Sequence, residues 1–130
     1  MEKRTINPWT WQDAFGFVQA NEVRGVSRTL VCAGQTANEE GKPMHAGDMR
    51  AQIEYTMDNL EKVLAKGGFE LSDVVRLNYY TTDVDELLNN WDALMMRLEK
   101  GNCKPASTLL GVTRLASREY LIEIEATAMA

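Results

Sequence analysis

Lys104-Pro105-Ala106-Ser107-Thr108-Leu109-Leu110-Gly111-Val112 leads, through a short polar link that contains Arg118, into Tyr120-Leu121-Ile122-Glu123-Ile124-Glu125-Ala126-Thr127-Ala128. Both stretches read as strands. The second alternates with period two: Tyr120, Ile122, Ile124, Ala126 and Ala128 share one face, and Leu121, Glu123, Glu125 and Thr127 the other. The two carboxylates therefore point the same way, roughly 7 Å apart along the strand. Neighbouring carboxylates repel and need water, donors or cations on their face. A solvent-facing surface strand meets that need, and so does a wet pocket or a subunit junction.

Upstream, Met1–Gln12 is polar apart from Trp9 and Trp11, and is expected to cover part of a sheet or rim a pocket. Phe15–Val23 is predicted as a strand, followed by a turn at Asn21-Glu22-Val23-Arg24-Gly25. Ser27–Ala33 is predicted as a second strand, antiparallel to the first and ending at Gly34-Gln35-Thr36. Asp48 is a credible N-cap, and Met49, Ile53, Met57, Leu60 and Leu64 recur at helical spacing until Gly67-Gly68, which predicts a helix over Asp48–Lys66. Asp73–Thr82 reads as a strand with Val75, Leu77 and Tyr79 on one face and Val74, Arg76, Asn78 and Tyr80 on the other. A second helix, capped by Asp83 or Asp85, is predicted to run to Lys100 on the stripe Val84, Leu87, Trp91, Leu94 and Leu98. The order is β-β-α-β-α-β-β, an α+β domain in which two helices cover one face of a single sheet. The opposite face is mixed in polarity, which suits burial against other subunits.

A chain of 130 residues is expected to form one domain. A net charge of −5 and a pI near 4.9 speak against a general nucleic-acid binder. Cys32 lies in an apolar run and reads as a small hydrophobe, whereas Cys103, after Gly101-Asn102, is expected to be exposed. Two unlinked cysteines suit a reducing cytosol. The first residues hold no apolar signal core, and no stretch approaches the roughly 20 apolar residues of a membrane span, so a cytoplasmic setting without membrane contact is expected. His45, the one histidine, and Asp48 are too sparse for a metal site. Neither a Walker motif nor a dinucleotide glycine fingerprint is present, and no cofactor is expected.

The quoted stretches resemble the reactive-intermediate deaminase (Rid, or YjgF-like) family. Pro105-Ala106-x-Thr108 with Gly111-Val112, and Ile122-Glu123-Ile124-Glu125-Ala126-x-Ala128, match its C-terminal signature. Gly16-Phe17-Val18-Gln19-Ala20, Leu30 to Gln35, Gln52 through Leu60, and Leu71-Ser72-Asp73-Val74-Val75 match earlier landmarks. The resemblance implies a chorismate-mutase-like fold and a homotrimer with small-molecule clefts between subunits. It also implies water attack on an imine carbon with loss of ammonia, using neither metal nor cofactor. Glu123 corresponds to the water-positioning glutamate; the bland alternative is a structural strand acid. Ser107 stands where active members carry an arginine that grips a substrate carboxylate with a forked pair of bonds. It reads either as a contact for a neutral ligand or as a small residue in a changed pocket. Phe17 stands where active members often have tyrosine, and Ala33 and Gly34 offer backbone groups at the ligand. Arg118 or Arg28 are the candidate substitutes for the arginine. Two functions remain open: a deaminase-like hydrolase of an altered C–N substrate, and a non-catalytic trimer that senses a metabolite or docks on a partner. Ribonuclease activity is disfavoured by the acidic balance and the lone histidine.

Overall fold

The computed structural model describes all 130 residues. Its longest element is the helix α1, Met49–Lys66. The Asp48 carboxylate accepts from the Ala51 amide at 3.0 Å and caps it, and Gly68, at φ +78°, turns the chain after its last turn. One stripe of α1, formed by Ile53, Met57, Leu60 and Leu64, is fully buried. Burying side chains of this size stabilises by about 1.5–3 kcal/mol each before entropy is counted.

That stripe packs on a four-stranded sheet ordered β3-β8-β6-β7, formed by β3 (Thr29–Val31), β6 (Val74–Thr81), β7 (Ala106–Gly111) and β8 (Ile122–Met129). β8 runs antiparallel to β3 and β6, and β6 runs parallel to β7. A parallel pair needs a crossover, which the chain makes through α2 (Val84–Asn89) and α3 (Trp91–Lys100). Leu77 and Tyr79 of β6 and Ile122, Ile124, Ala126 and Ala128 of β8 meet the helices, as the alternation in β8 predicts. The sheet thus has one helix-covered face and one open face. The open face carries Arg76, Asn78, Tyr80, Glu123, Glu125 and Thr127 from the two central strands, with exposed Val31 (77 %) and Leu110 (49 %) towards its edges.

Several expectations are corrected. The first predicted strand does not span Phe15–Val23: Trp11–Phe15 is a 3-10 turn closed by Gly16 at φ +76°, and the strand β2 is Ala20–Arg24. Gln12 anchors that turn, buried with its amide donating to the Trp9 carbonyl and its oxygen accepting from Gln19. Nor does β2 pair with the next strand. It pairs with β1, Glu2–Ile6, which the polar composition of the N-terminal segment concealed, while β3 lies antiparallel to β8 at the far edge. Just before β2, the chain touches the main sheet through Val18, whose amide donates to the Pro105 carbonyl beside the start of β7. A small hairpin, β4 (Asn38–Glu39) with β5 (Lys42–Pro43), occupies the predicted polar loop. The second helix is two helices, because Asn90 leaves helical geometry and turns its amide back to the Glu86 carbonyl. Val74 is buried together with Val75, since an irregularity between Val74 and Arg76 breaks the alternation. Cys103 is 4 % exposed, not a surface residue, and burial pushes its thiol up to about 12.

Candidate functional site

Glu123 projects from β8 onto the open face, opposite Tyr80 of β6, and Glu125 stands opposite Asn78. The two carboxylates share a face but not an environment. The Tyr80 hydroxyl and the Asn78 amide (3.1 Å) both donate to Glu125 Oε1. These two bonds, the phenol's first, hold the Glu125 carboxyl below the usual glutamate range. Glu123 has no such partner. Burial, and then the charge of Glu125, push its carboxyl above that range. Two acids whose environments drive their proton affinities apart are the pattern expected of one structural anion and one proton-accepting group.

Gly34 explains how Glu123 is seated. A Cβ on Gly34 would lie 2.0 Å from Glu123 Oε2 and 2.7 Å from Cδ, so the carboxylate rests directly against the bare glycine backbone. Ala33 and Gly34 sit where pairing with β8 is interrupted. Regular pairing stops at Val31↔Thr127 and resumes as the isolated Gln35↔Ile124 bridge. Gly34 is thus brought against Glu123, with Ala33 next to it in the chain.

Ser107 and Phe17 are elsewhere. Ser107 pairs with Leu77, whose side chain is buried on the helix-covered face, so the serine points to the opposite side of the sheet from Glu123. It is also two strands away, about 10 Å in the pairing direction. Phe17 lies near that same β7 edge, where it lines a cavity of about 480 Å³ with Val18, Met95 and Leu98, and Trp11 packs edge-on against its ring at 5.6 Å. Within one chain the named residues therefore fall into two groups, Ala33-Gly34-Glu123 and Phe17-Ser107.

The candidate arginines divide as well. Arg28 is committed to structure, donating to the Gly67 carbonyl with its guanidinium 4.3 Å from the centre of the Phe69 ring. Arg76 donates to Thr108 on the open face. Arg118 is exposed and joins no salt bridge. The link that carries Arg118 is nevertheless fixed: buried Gln52 of α1 donates to the Glu119 carbonyl and accepts from the Leu121 amide, both at 2.8 Å. Sequence reasoning missed Tyr80 and Asn78 as the fastening of Glu125. Their alternation was visible, but only strand register puts them opposite the acids. His45 is a loop residue at φ +56°, packed on Tyr55. No helix is long and apolar enough to cross a membrane.

Known proteins share this sequence pattern and fold. The family model described as Endoribonuclease L-PSP matches residues 12–130. A RutC family protein of Pyrococcus abyssi is 30 % identical over 104 residues, 79 % of this chain and 80 % of that protein. The mitochondrial protein mmf2 of Schizosaccharomyces pombe is 28 % identical over 99 residues, 76 % of this chain and 78 % of the other. The crystal structure of YyfB from Yersinia pestis, a protein of unknown function in the conserved Rid family, superposes with a TM-score of 0.87 at 37 % identity, covering 100 % of both chains. With its family signature spread over nearly the whole length and its fold shared end to end, this chain belongs to the Endoribonuclease L-PSP family, the YjgF/Rid group of proteins.

Proposed function

We propose that the protein works as a homotrimer whose inter-subunit clefts bind a small metabolite and hydrolyse an imine, enamine or related C–N species. The observation that carries this reading is the state of Glu123: accessible, without a hydrogen-bond partner, raised in proton affinity, and seated on Gly34. Such a carboxylate can orient a water and take its proton as the oxygen attacks the carbon of a C=N bond. The C=N electron pair moves to nitrogen, which is protonated to give a carbinolamine; its C–N bond then breaks to release ammonia as the hydroxyl gives up its proton and the C=O bond forms. The division of the named residues into these two groups supports a shared cleft. Opposite faces and distant strands of one sheet meet only when the Glu123 side of one copy faces the Phe17-Ser107 side of another. The open sheet face, with Val31 and Leu110 exposed, offers a surface for that association. In this cleft Phe17, Ala33, Gly34, Ser107 and Arg118 contact the ligand and Glu123 acts on water. The reaction needs no metal or cofactor, and the protein works in the cytoplasm, where Cys32 and Cys103 stay reduced.

Ser107 shapes the substrate. A hydroxyl cannot replace a desolvated guanidinium–carboxylate pair worth about 2–5 kcal/mol, or roughly 30- to several-thousand-fold. The substrate is therefore a C–N species without a carboxylate at that position. Ammonia release from freshly generated 2-iminopropanoate and 2-iminobutanoate tests the reading. Wild type is expected to be slow, Ser107→Arg to gain activity, and Glu123→Gln to abolish that gain. Rapid wild-type turnover lost in Glu123→Gln would mean that another group, with Arg118 first in line, supplies the anion grip. The second reading, a non-catalytic sensor or docking trimer, is favoured by the serine alone. It predicts saturable metabolite binding without turnover in every one of these variants.

A further inference from the structure

Glu123 sits near the start of β8, where the sheet holds the chain from one side. Tyr80 of β6 pairs with it, and that pairing begins only one residue earlier, at Thr81↔Ile122. On the other side, regular pairing with β3 stops at Val31↔Thr127, and the chain returns only at the isolated Gln35↔Ile124 bridge. Strand ends with few ladder bonds fray first. A carboxylate that must stand at a fixed place over Gly34 therefore needs the chain just before β8 to be held by something besides the sheet.

Two side chains supply that hold. Gln52 of α1 and Thr81 at the end of β6 are both fully buried, although glutamine and threonine are found mostly at surfaces. Gln52 Nε2 donates to the Glu119 carbonyl at 2.8 Å and to the His45 carbonyl at 3.2 Å, and its Oε1 accepts from the Leu121 amide at 2.8 Å. Both donors of the side-chain amide are thus spent on loop backbone. The Thr81 hydroxyl donates to the Leu121 carbonyl at 2.7 Å and accepts from the Asp83 amide at 3.1 Å. The Thr82 amide adds a longer bond to the same Leu121 carbonyl, at 3.3 Å. Leu121 is the one residue that both side chains grip, by its N–H and by its C=O, and it lies about 7 Å along the chain before Glu123. Both grips come from the helix-covered side of the sheet, since Thr81 continues the alternation of Leu77 and Tyr79, whereas Glu123 stands on the open face. An apolar side chain of similar size would fill either position. What the polar atoms add is the placement of backbone.

We propose that Gln52 and Thr81 are positioning residues for Glu123: by holding Leu121 at its amide and its carbonyl, they set where the Glu123 carboxylate stands over Gly34. The proposal rests on the reading of Glu123 as the group that activates water, and adds that its place is set through the backbone from the far side of the sheet. A loosened Leu121 lets the start of β8 fray, and the carboxylate then moves off Gly34 into water.

The test uses the full chain and two variants of nearly unchanged size, Gln52→Met and Thr81→Val, with Thr81→Ser as the restoring partner because serine keeps the hydroxyl. Leu60→Ala, which opens a void about two turns along α1 from Gln52, is the control for lost stability. In each protein the Glu123 carboxyl is titrated by ¹³C shifts, and turnover of 2-iminopropanoate is measured in the Ser107→Arg background. Gln52→Met and Thr81→Val are expected to bring the Glu123 titration back towards that of an ordinary glutamate and to lower kcat by about 10²-fold, with KM little changed. Thr81→Ser and Leu60→Ala are expected to keep the wild-type titration and kcat. The proposal is overturned if Gln52→Met and Thr81→Val, folded by their amide spectra, titrate at Glu123 as wild type does, or if Leu60→Ala moves the titration as far as they do. If Gln52→Met does not fold, Thr81→Val against Thr81→Ser decides. A Ser107→Arg protein without turnover sinks the hydrolase reading, and the Glu123 titration still decides the positioning.

Discussion

Gly34→Ala separates the seating of Glu123 from the stability of the fold. Gly34 is not among the positive-φ glycines, so its backbone accepts alanine, and the nearest atoms the new methyl meets belong to the Glu123 side chain. The ideal Cβ falls 2.0 Å from Glu123 Oε2 and 2.9 Å from Cγ, whereas ordinary contact begins near 3.4 Å, so the carboxylate oxygen must withdraw by 3.4 − 2.0 = 1.4 Å. A glutamate on an open sheet face can do so by turning its side-chain torsions. An off-rotamer arrangement costs about 0.5–1.5 kcal/mol. Replacing glycine with alanine returns about 0.4–1 kcal/mol through the less free unfolded chain. Net stability should therefore change by less than about 1 kcal/mol, or at most a few degrees in Tm. The site should respond far more, because a displacement of about 1 Å at a reacting group can cost about 10²-fold in rate. Two assays check this. A ¹³C titration of the Glu123 carboxyl should show its raised proton affinity falling back towards that of an ordinary glutamate as the group moves into water. Turnover, measured in the Ser107→Arg background, should drop about 10²-fold. A wild-type Glu123 titration in Gly34→Ala, or full turnover, would refute the idea that the glycine seats this carboxylate. A collapse of stability would show that Gly34 serves the strand instead.

Other perturbations probe the surroundings. Tyr80→Phe removes the first donor to Glu125. Because the Glu125 carboxyl is held low in the folded state, its contribution to stability is present above the unfolded pKa and is lost as pH falls through the folded one. The variant should therefore lose stability at neutral pH and show a weaker acid dependence, measured by denaturant melts from neutral to acid pH. The opposite sign applies to Glu123: its ionisation costs the folded state, so Glu123→Gln should slightly stabilise the protein above the raised pKa and change nothing below the unfolded value. Leu60→Ala empties a fully buried site on α1 and should cost about 2–5 kcal/mol in a urea melt. Arg97, largely buried on α3, gathers Glu54, Asp58 and Glu61 of α1. Arg97→Met leaves three half-exposed acids facing one another and should cost about 1–2 kcal/mol, less at high salt.

The parts of the fold that could be read from the chain are those whose pattern and packing coincide. α1 has a cap, a stripe and a glycine stop that agree, and β8 alternates without a break, so both emerge where the residues place them. The hairpin of β1 with β2 was hidden because Glu2–Ile6 buries little, and its strand character comes from a partner about twenty positions away. The turn at Trp11–Phe15 is likewise tertiary: hydrophobic residues that read as a strand are wound around buried Gln12. Of the candidate site, Glu123 and its glycine could be read because a family signature marks them. The fastening of Glu125 could not, because it depends on the register Asn78↔Glu125 and Tyr80↔Glu123, which no local pattern encodes.

That register also bears on how an acid pair on one strand can serve a single reaction. If both carboxylates were equally solvated, each would stay ionised and each would hold the other's water. Here Tyr80 and Asn78 hold the charge on Glu125, and that charge adds to burial in raising the Glu123 carboxyl. Glu125 thereby raises the basicity of its neighbour without touching a substrate. Burial is the larger cause of the rise at Glu123 and the Glu125 charge the smaller, and together they move its carboxyl in the direction a general base requires. On the proposed reading, Glu123 and its surroundings would activate water, and Ser107 would set the charge of the substrate that the cleft accepts. The combination fits a retained hydrolytic centre directed at a substrate of different charge.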